Sequence, residues 1–578
     1  MTSHLFRSAE WFEGRDELGP QNRAVLRSLG YTHEFFAGKP VIGIANSYSE
    51  LNNCHLNLNA VSAAVKRGIV AGGGVPLEFP TLSLGEELMK PSTMLYRNLM
   101  AMEIEEMLRA HPLDGVVLLG GCDKTLPAQL MGAAIANLPA IQVNAGPKHT
   151  GHWNGQEIGS GTALWKYWDE YRAGKISEAD WQAIELAYAP GAGTCNTMGT
   201  ASTMAAMSEA LGMMLPGSGT IPAHDARRLA AAEASGRRIV ELVREDIRPR
   251  HILTRAAFEN ALRVHAAIGG STNAIIHLIA IARRLRVPLT LNDFDTLAQE
   301  TPLLLNVQPS GEKLMAEFDV AGGLIALMQQ LRDQLNLQCL TVNGKTWAKV
   351  LAERVHSSGD VIRERAHALQ PTGGLAVLHG NLAPNGCVLR LGTATPQLLQ
   401  HRGRALVFDG YEDLLSRIDD LNLPVTEDSV LVLRNAGAVG VPGLPEWGSI
   451  PIPKKLLLQG VKDIVRISDS RMSGTSYGTV LLHVAPEAAI GGPLALVRDG
   501  DWIELNVAAR SITLDVTEHD ELAQRRIAWQ KPKPKHLRGY PRLYAEHVLQ
   551  PDEGCDFDFL QPESDEAMWF VPPVVGRS

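Results

Sequence analysis

The chain has 578 residues, 45% of them hydrophobic and 20% charged, with a formal net charge of −9. That composition supplies buried cores and excludes a disordered chain, and with no polybasic run it leaves no electrostatic footprint for a nucleic acid partner. Six cysteines are too few for a disulfide scaffold, and neither an export-type leader nor a bilayer-length apolar run is visible, so the expectation is a cytoplasmic protein with no membrane partner.

In chain order, 39–46 (KPVIGIAN) and 114–121 (DGVVLLGG) are apolar runs that end in polar or glycine turns. A helical pattern follows each, which is the signature of buried parallel strands. Residues 94–109 set Leu95, Leu99, Met102, Ile104 and Leu108 among charges, which predicts an amphipathic helix. This alternation predicts an N-terminal α/β domain with a parallel sheet over 1–370, its ligands gathered at the carboxyl ends of the strands. Beyond about residue 370 the texture changes. Short strands such as TGGLAVLHG, GRALVFDG, SVLVLRNAG, DIVRISDS, GTVLLHVAP and DWIELNVAARSITLDV follow one another between glycine, proline and aspartate turns. They predict a C-terminal β-barrel-like domain with flanking helices over 371–578, and 529–578, rich in Pro and Asp, reads as a tail lying on the surface.

Three cysteines stand apart by setting: Cys54 in NSYSELNNCH, Cys122 in LLGGCDKT and Cys195 in GAGTCNTMGTAS. A lone cysteine is most often a small buried hydrophobe, the reading given to Cys339, Cys387 and Cys555. Three in Gly/Asn/Thr-rich loops of one α/β domain permit a cluster, although their spacing matches no zinc ribbon or ferredoxin run. Glu86 and Glu87 lie in a loop after another strand, and Asp123 and Lys124 follow Cys122 directly. An aspartate at a strand end suits a hard divalent cation, and it suits a helix cap equally well. Two glycine-rich loops follow strands of the second half. Residues 434–448 hold Glu446, and 468–479 hold Ser468, Ser470, Ser473 and Ser476. The Gly-Gly turn in 266–282 leads into a helix capped by Ser271 or Thr272. Gly344-Lys345-Thr346 ends like a P-loop, but Cys339 stands where its first glycine belongs, and no Gly-x-Gly-x-x-Gly follows a first strand. Both nucleotide motifs fail, and a dinucleotide enzyme is not expected.

Taken together, NSYSELNNCH, LLGGCDKTLPAQLMGAA, GTCNTMGTASTM, GGSTNAIIHL, GNLAP and SDSRMSGTSYGTVLLHVAPEAA resemble the dihydroxy-acid and sugar-acid dehydratase family, over about residues 8 to 560. The resemblance implies a [2Fe-2S] cluster on Cys54, Cys122 and Cys195. It implies Mg²⁺ on Glu86, Asp123, Glu446 and a carbamylated Lys124, with Ser473 as catalytic base. It also implies a homodimer or homotetramer with the site between the two domains. LSLGEELMKPSTMLYRNLMAMEIEE and RSAEWF are similar to the sugar-acid branch, which dehydrates aldonates such as L-arabinonate or D-xylonate to 2-keto-3-deoxy acids. Two other readings stand beside it: the dihydroxy-acid dehydratase of branched-chain amino-acid synthesis, and an iron–sulfur sensor with no turnover. A sensor has no use for Glu86, Asp123, Lys124, Glu446 and Ser473. Two departures fall near the site: Asn52-Asn53 where relatives often carry Thr-Pro, and Ala438 where proline is usual.

Overall fold

The computed structural model describes residues 6–564 apart from 16, 354–358, 448, 517–519 and 534–537. Four parallel strands, β1 (Val41–Asn46), β2 (Val75–Pro80), β3 (Gly115–Gly120) and β4 (Ala140–Asn144), form the first sheet in the order β2-β1-β3-β4. β1, β3 and β4 are buried along their whole length, as their unbroken apolar runs require of strands covered on both faces. At the edge, β2 alternates outward and inward. The predicted amphipathic helix forms as Met94–Ala110 and buries Leu95, Ile104 and Leu108.

Between β4 and Cys195 the chain builds a cap. It consists of the hairpin β5 (Gly151–Trp153) and β6 (Gln156–Ile158) and the helices Thr162–Arg172 and Glu178–Tyr188. The cap has its own small core of Ile158, Ala163, Tyr167 and Ile184.

The C-terminal half is an eight-stranded sheet. Its strands are β7 (Leu375–Leu378), β8 (Gly386–Arg390), β9 (Gln400–Asp409), β10 (Val430–Arg434), β11 (Arg466–Ser468), β12 (Val480–Ala485), β13 (Trp502–Asn506) and β14 (Ser511–Asp515). The order is β14-β13-β9-β10-β11-β12-β8-β7. β9 to β12 are mutually parallel and the flanking strands antiparallel. The two edges then meet: His379 N–H donates to Arg510 O (3.0 Å), and Ile512 N–H donates to His379 O (2.9 Å). The sheet closes on itself and loses its edges, as the barrel expectation requires. Gly380 makes the seam possible, because a Cβ there would lie 1.9 Å from Ile512 O. Side chains alternate across the wall. Ala405, Val407, Val430, Val432, Val465, Ile467 and Leu481 fill the barrel. Leu406, Phe408, Leu431, Leu433 and Leu482 point outward into a core continuous with Ile42 and Val117 of the first sheet.

The C-terminal segment departs from the expectation of a surface tail. Tyr544, Cys555 and Phe557 are buried. Arg97 donates to the carbonyls of Gly554 (2.9 Å) and Cys555 (2.8 Å), and Arg284 grips Asp556 through two bonds. Proline and aspartate spacing hid these aromatic anchors, which make the segment a strap across helices of the N-terminal half. Among the described residues, no helix is long and apolar enough to cross a membrane.

Candidate active site

The carboxyl ends of both parallel strand sets open toward one cavity of about 250 Å³, the crevice where α/β sheets place their ligands. Cys54, Glu86, Cys122, Asp123, Cys195, Glu446 and Ser473 all line it, and Lys124 lies fully buried among them. The residues that the resemblance implied as ligands and base are therefore in one place, whereas Ser468, Ser470, Ser476, Ser271 and Thr272 do not line the cavity. Cys339, Cys387 and Cys555 are buried elsewhere.

Each loop is held by its own device. After β1, Cys54 sits in a short 3₁₀ turn whose start is capped by Asn52, its Oδ1 accepting from Cys54 N (3.1 Å). His55 then joins two loops. Its Nδ1 bonds Ser47 O at 2.7 Å, while Nε2 accepts from the backbone of both Gly121 and Cys122 at 3.0 Å. Accepting at Nε2 demands a neutral ring, and burial pulls the His55 pKa down to about 4. After β3, Gly121 lets the chain pass close to the Cys54 loop: a Cβ would stand 2.9 Å from Cys54 O. Asp123 and Lys124 follow, and the helix Thr125–Ala136 begins without a side-chain cap, so Asp123 is free for the cavity. Cys195 returns from the cap, pinned by Thr194 to Gly146 and Lys148 through backbone bonds of 2.9 Å.

The acidic half of the site is built around Lys124. Its Nζ lies 3.0 Å from Glu86 and from Glu446 and closer still to Asp123. One oxygen from each of these three carboxylates lies within 4.8 Å of the others. Arg471 adds a second cation, 2.8 Å from Glu446, and Asn273 Nδ2 donates to the same oxygen at 3.0 Å. Burial would raise Glu86, but Lys124 and Arg471 hold it down at about 2. Burial pushes Asp123 and Glu446 up. Burial would lower the Lys124 ammonium, yet its three carboxylates keep it above the ordinary lysine value. Contact with Cys54, reinforced by burial, drives the Cys122 pKa well up, and burial drives up that of Cys195.

This chemistry fits both groups implied by the resemblance. Clustered thiols that burial keeps protonated give up their protons when a soft metal ion takes the sulfurs. Three converging carboxylates suit a hard divalent cation, with ligands about 2.0–2.1 Å from Mg²⁺. An ammonium at 3.0 Å stands where such a cation would lie, so Lys124 must move or change its charge to admit one.

Ser473 lies on the loop after β11. Its Oγ is 2.8 Å from Thr475 Oγ1, and Thr475 N–H points to it at 3.3 Å. Trp165, from the cap, donates Nε1–H to Thr475 Oγ1 at 3.2 Å. His55, Arg471, Asn273, Thr475 and Trp165 were absent from the sequence-derived set. His55 adjoins Cys54, and Arg471 lies two residues before Ser473, but neither neighbour reveals the bond partner.

Two family models match the chain. Residues 39–350 match the N-terminal dihydroxy-acid/6-phosphogluconate dehydratase model, and 360–555 the C-terminal one. The chain is 50% identical over 558 residues to a 6-deoxy-6-sulfo-D-gluconate dehydratase of Pseudomonas putida, covering 96% of each. It is 50% identical over 572 residues to an L-arabonate dehydratase of Azospirillum brasilense, covering 97% of each. Identity to a dihydroxy-acid dehydratase of Roseiflexus sp. is 39% over 566 residues, 96% of this chain and 99% of the relative.

Proposed function

The chain belongs to the dihydroxy-acid/6-phosphogluconate dehydratase family, and from that premise we propose that it is a hydro-lyase converting an aldonic acid to its 2-keto-3-deoxy acid. The observation that carries this reading is the convergence of three cysteines, three carboxylates around Lys124, and Ser473 on one cavity. The higher identity to the two sugar-acid dehydratases than to the dihydroxy-acid dehydratase supports the aldonate.

Removing water from a 2,3-dihydroxy acid takes a proton from C2 and hydroxide from C3, and the enol left behind tautomerises to the keto acid. Glu86, Asp123, Glu446 and a carbamylated Lys124 would hold a divalent cation, and Cys54, Cys122 and Cys195 a [2Fe-2S] cluster, and these groups would supply Lewis acidity to the reaction.

The chain's own residues do the rest. Ser473 Oγ, as the alkoxide, takes the C2 proton and gives it up to the departing C3 hydroxide, so that water leaves and the alkoxide is restored. Trp165 Nε1–H only donates, so Thr475 Oγ1 accepts there, and its own O–H is available to donate to Ser473 Oγ when that oxygen is deprotonated. With Thr475 N–H aimed at the same oxygen, an alkoxide at Ser473 Oγ meets two donors, which lowers the serine pKa and makes the alkoxide accessible. Arg471 and Asn273 fix Glu446, and His55 fixes the Cys122 loop.

The test is keto-acid formation by protein purified without oxygen and supplied with Mg²⁺. C5 and C6 aldonates, a 6-sulfo aldonate and 2,3-dihydroxyisovalerate are compared. Turnover favouring an aldonate is expected. Turnover on dihydroxyisovalerate alone would move the chain to the other branch, and no turnover by iron-loaded protein would overturn the reading.

A further inference from the structure

Lys148 is 4% exposed, yet among the described residues no carboxylate pairs with its ammonium. A buried charge without a counter-ion is costly, so its persistence calls for an explanation. Two features say where the missing anion lies. The ammonium sits over the ring of Tyr188, 4.4 Å from its centroid, and Tyr188 lines the cysteine cavity. The backbone of Lys148 is bonded to Thr194, next to Cys195, and packs so tightly on Gly193 that a Cβ there would lie 2.7 Å from Lys148 N.

Three thiolates around a doubly positive two-iron core leave a net negative charge, and adding an electron makes it larger.

We infer that Lys148 is the built-in counter-charge of the iron–sulfur centre, a positioning residue that acts on the cluster through Cys195 and the Tyr188 ring without touching substrate. The inference rests on the cluster assignment proposed above. Its role is electrostatic, and no electron is transferred during turnover. A nearby positive charge favours the more negative, reduced state of a cluster, so removing it lowers the reduction potential.

The experiment uses full-length protein reconstituted with iron and sulfide under anaerobic conditions. Wild type, K148M, K148Q and K148R are compared by iron and sulfide content per chain and by midpoint potential in an EPR-monitored redox titration. K148M and K148Q are expected to shift to more negative potential and to lose iron faster to a chelator, while K148R stays near wild type. K148Q serves should K148M not fold. An iron-loaded K148M or K148Q with wild-type potential and iron retention would overturn the inference, even if its KM for an anionic substrate rose. Failure of the wild type itself to take up iron would instead overturn the cluster assignment.

Discussion

The two halves of the molecule use strand ends differently. In the first sheet all four strands are parallel, and each hands the site a loop: Cys54 after β1, Glu86 after β2, Cys122 to Lys124 after β3, and Cys195 after β4. In the barrel only β10 and β11 do so, with Glu446 and Ser473, while the antiparallel strands seal the wall. Parallel strands present all their carboxyl ends on one side, whereas antiparallel neighbours alternate them. The α/β half supplies the three cysteines, Glu86, Asp123 and Lys124, whereas of the barrel's four parallel strands only two reach the cavity, with Glu446 and the proposed base Ser473.

The comparison can be broken from either side. Cys122→Ser removes a ligand from the first sheet, and iron, sulfide and turnover are expected to vanish together while the melting temperature of the apo-protein holds. Activity without iron would refute the division. Ser473→Ala in the barrel half should keep iron and Mg²⁺ but lose turnover by roughly 10²–10⁴-fold, the usual worth of a general base. Gly380→Ala attacks the seal itself. Its Cβ meets backbone at the β7–β14 seam, and a loss of about 1–3 kcal/mol in chemical unfolding is expected. Trp165→Phe deletes the cap's hydrogen bond to Thr475, and kcat should fall about two- to ten-fold with KM little changed.

The smallest effect concerns pH. Glu487, buried and close to Asp469, has its pKa raised to about 7 from 4.5 while accepting from Val439 N at 2.8 Å in the Glu446 loop. At Glu487 the folded state then binds more protons than the unfolded one between those values, so this group's contribution to stability falls as pH rises from about 4.5 to 7 and is level above. Glu487→Gln should flatten that fall in urea midpoints measured across the range. Asp469, raised by burial to about 6, and Glu209, raised by burial to about 7, add slope of the same sign, while the buried histidines His55, His265 and His483, lowered by burial, oppose it.

Sequence disclosed the parts whose logic is local. Runs such as VIGIAN and GVVLLG state that both faces of a strand are covered, and cysteines beside glycine turns state where strands end. β8 escaped because Gly386–Arg390 is a short run starting at a glycine, read as ordinary apolar context around Cys387. The parallel order of β9 to β12 escaped because their crossovers carry little helix, only Tyr411–Arg417 and Lys454–Leu458, so the strands read as hairpin members. Asn273 reaches Glu446 across 173 positions of chain, and Arg471 reaches Ser92 across 379. No local pattern marks such a bond. Lys148 was passed over for the opposite reason: a lysine in a turn reads as solvated until its burial is seen.

The strap carries a consequence in time. Gly554, Cys555 and Asp556 brace the helices Met94–Ala110 and Asn273–Arg284, and Cys555 shares a buried cluster with Met94 and with Ala438 and Leu444 of the Glu446 loop. These residues leave the ribosome after nearly everything they hold together. A nascent chain can complete its first sheet and gather its cysteines while the acidic wall is still unbraced. The acidic wall therefore gains its full brace only once residues 554–556 have emerged, and a ribosome stalled before they do would display the cysteines without the fully buttressed carboxylate site.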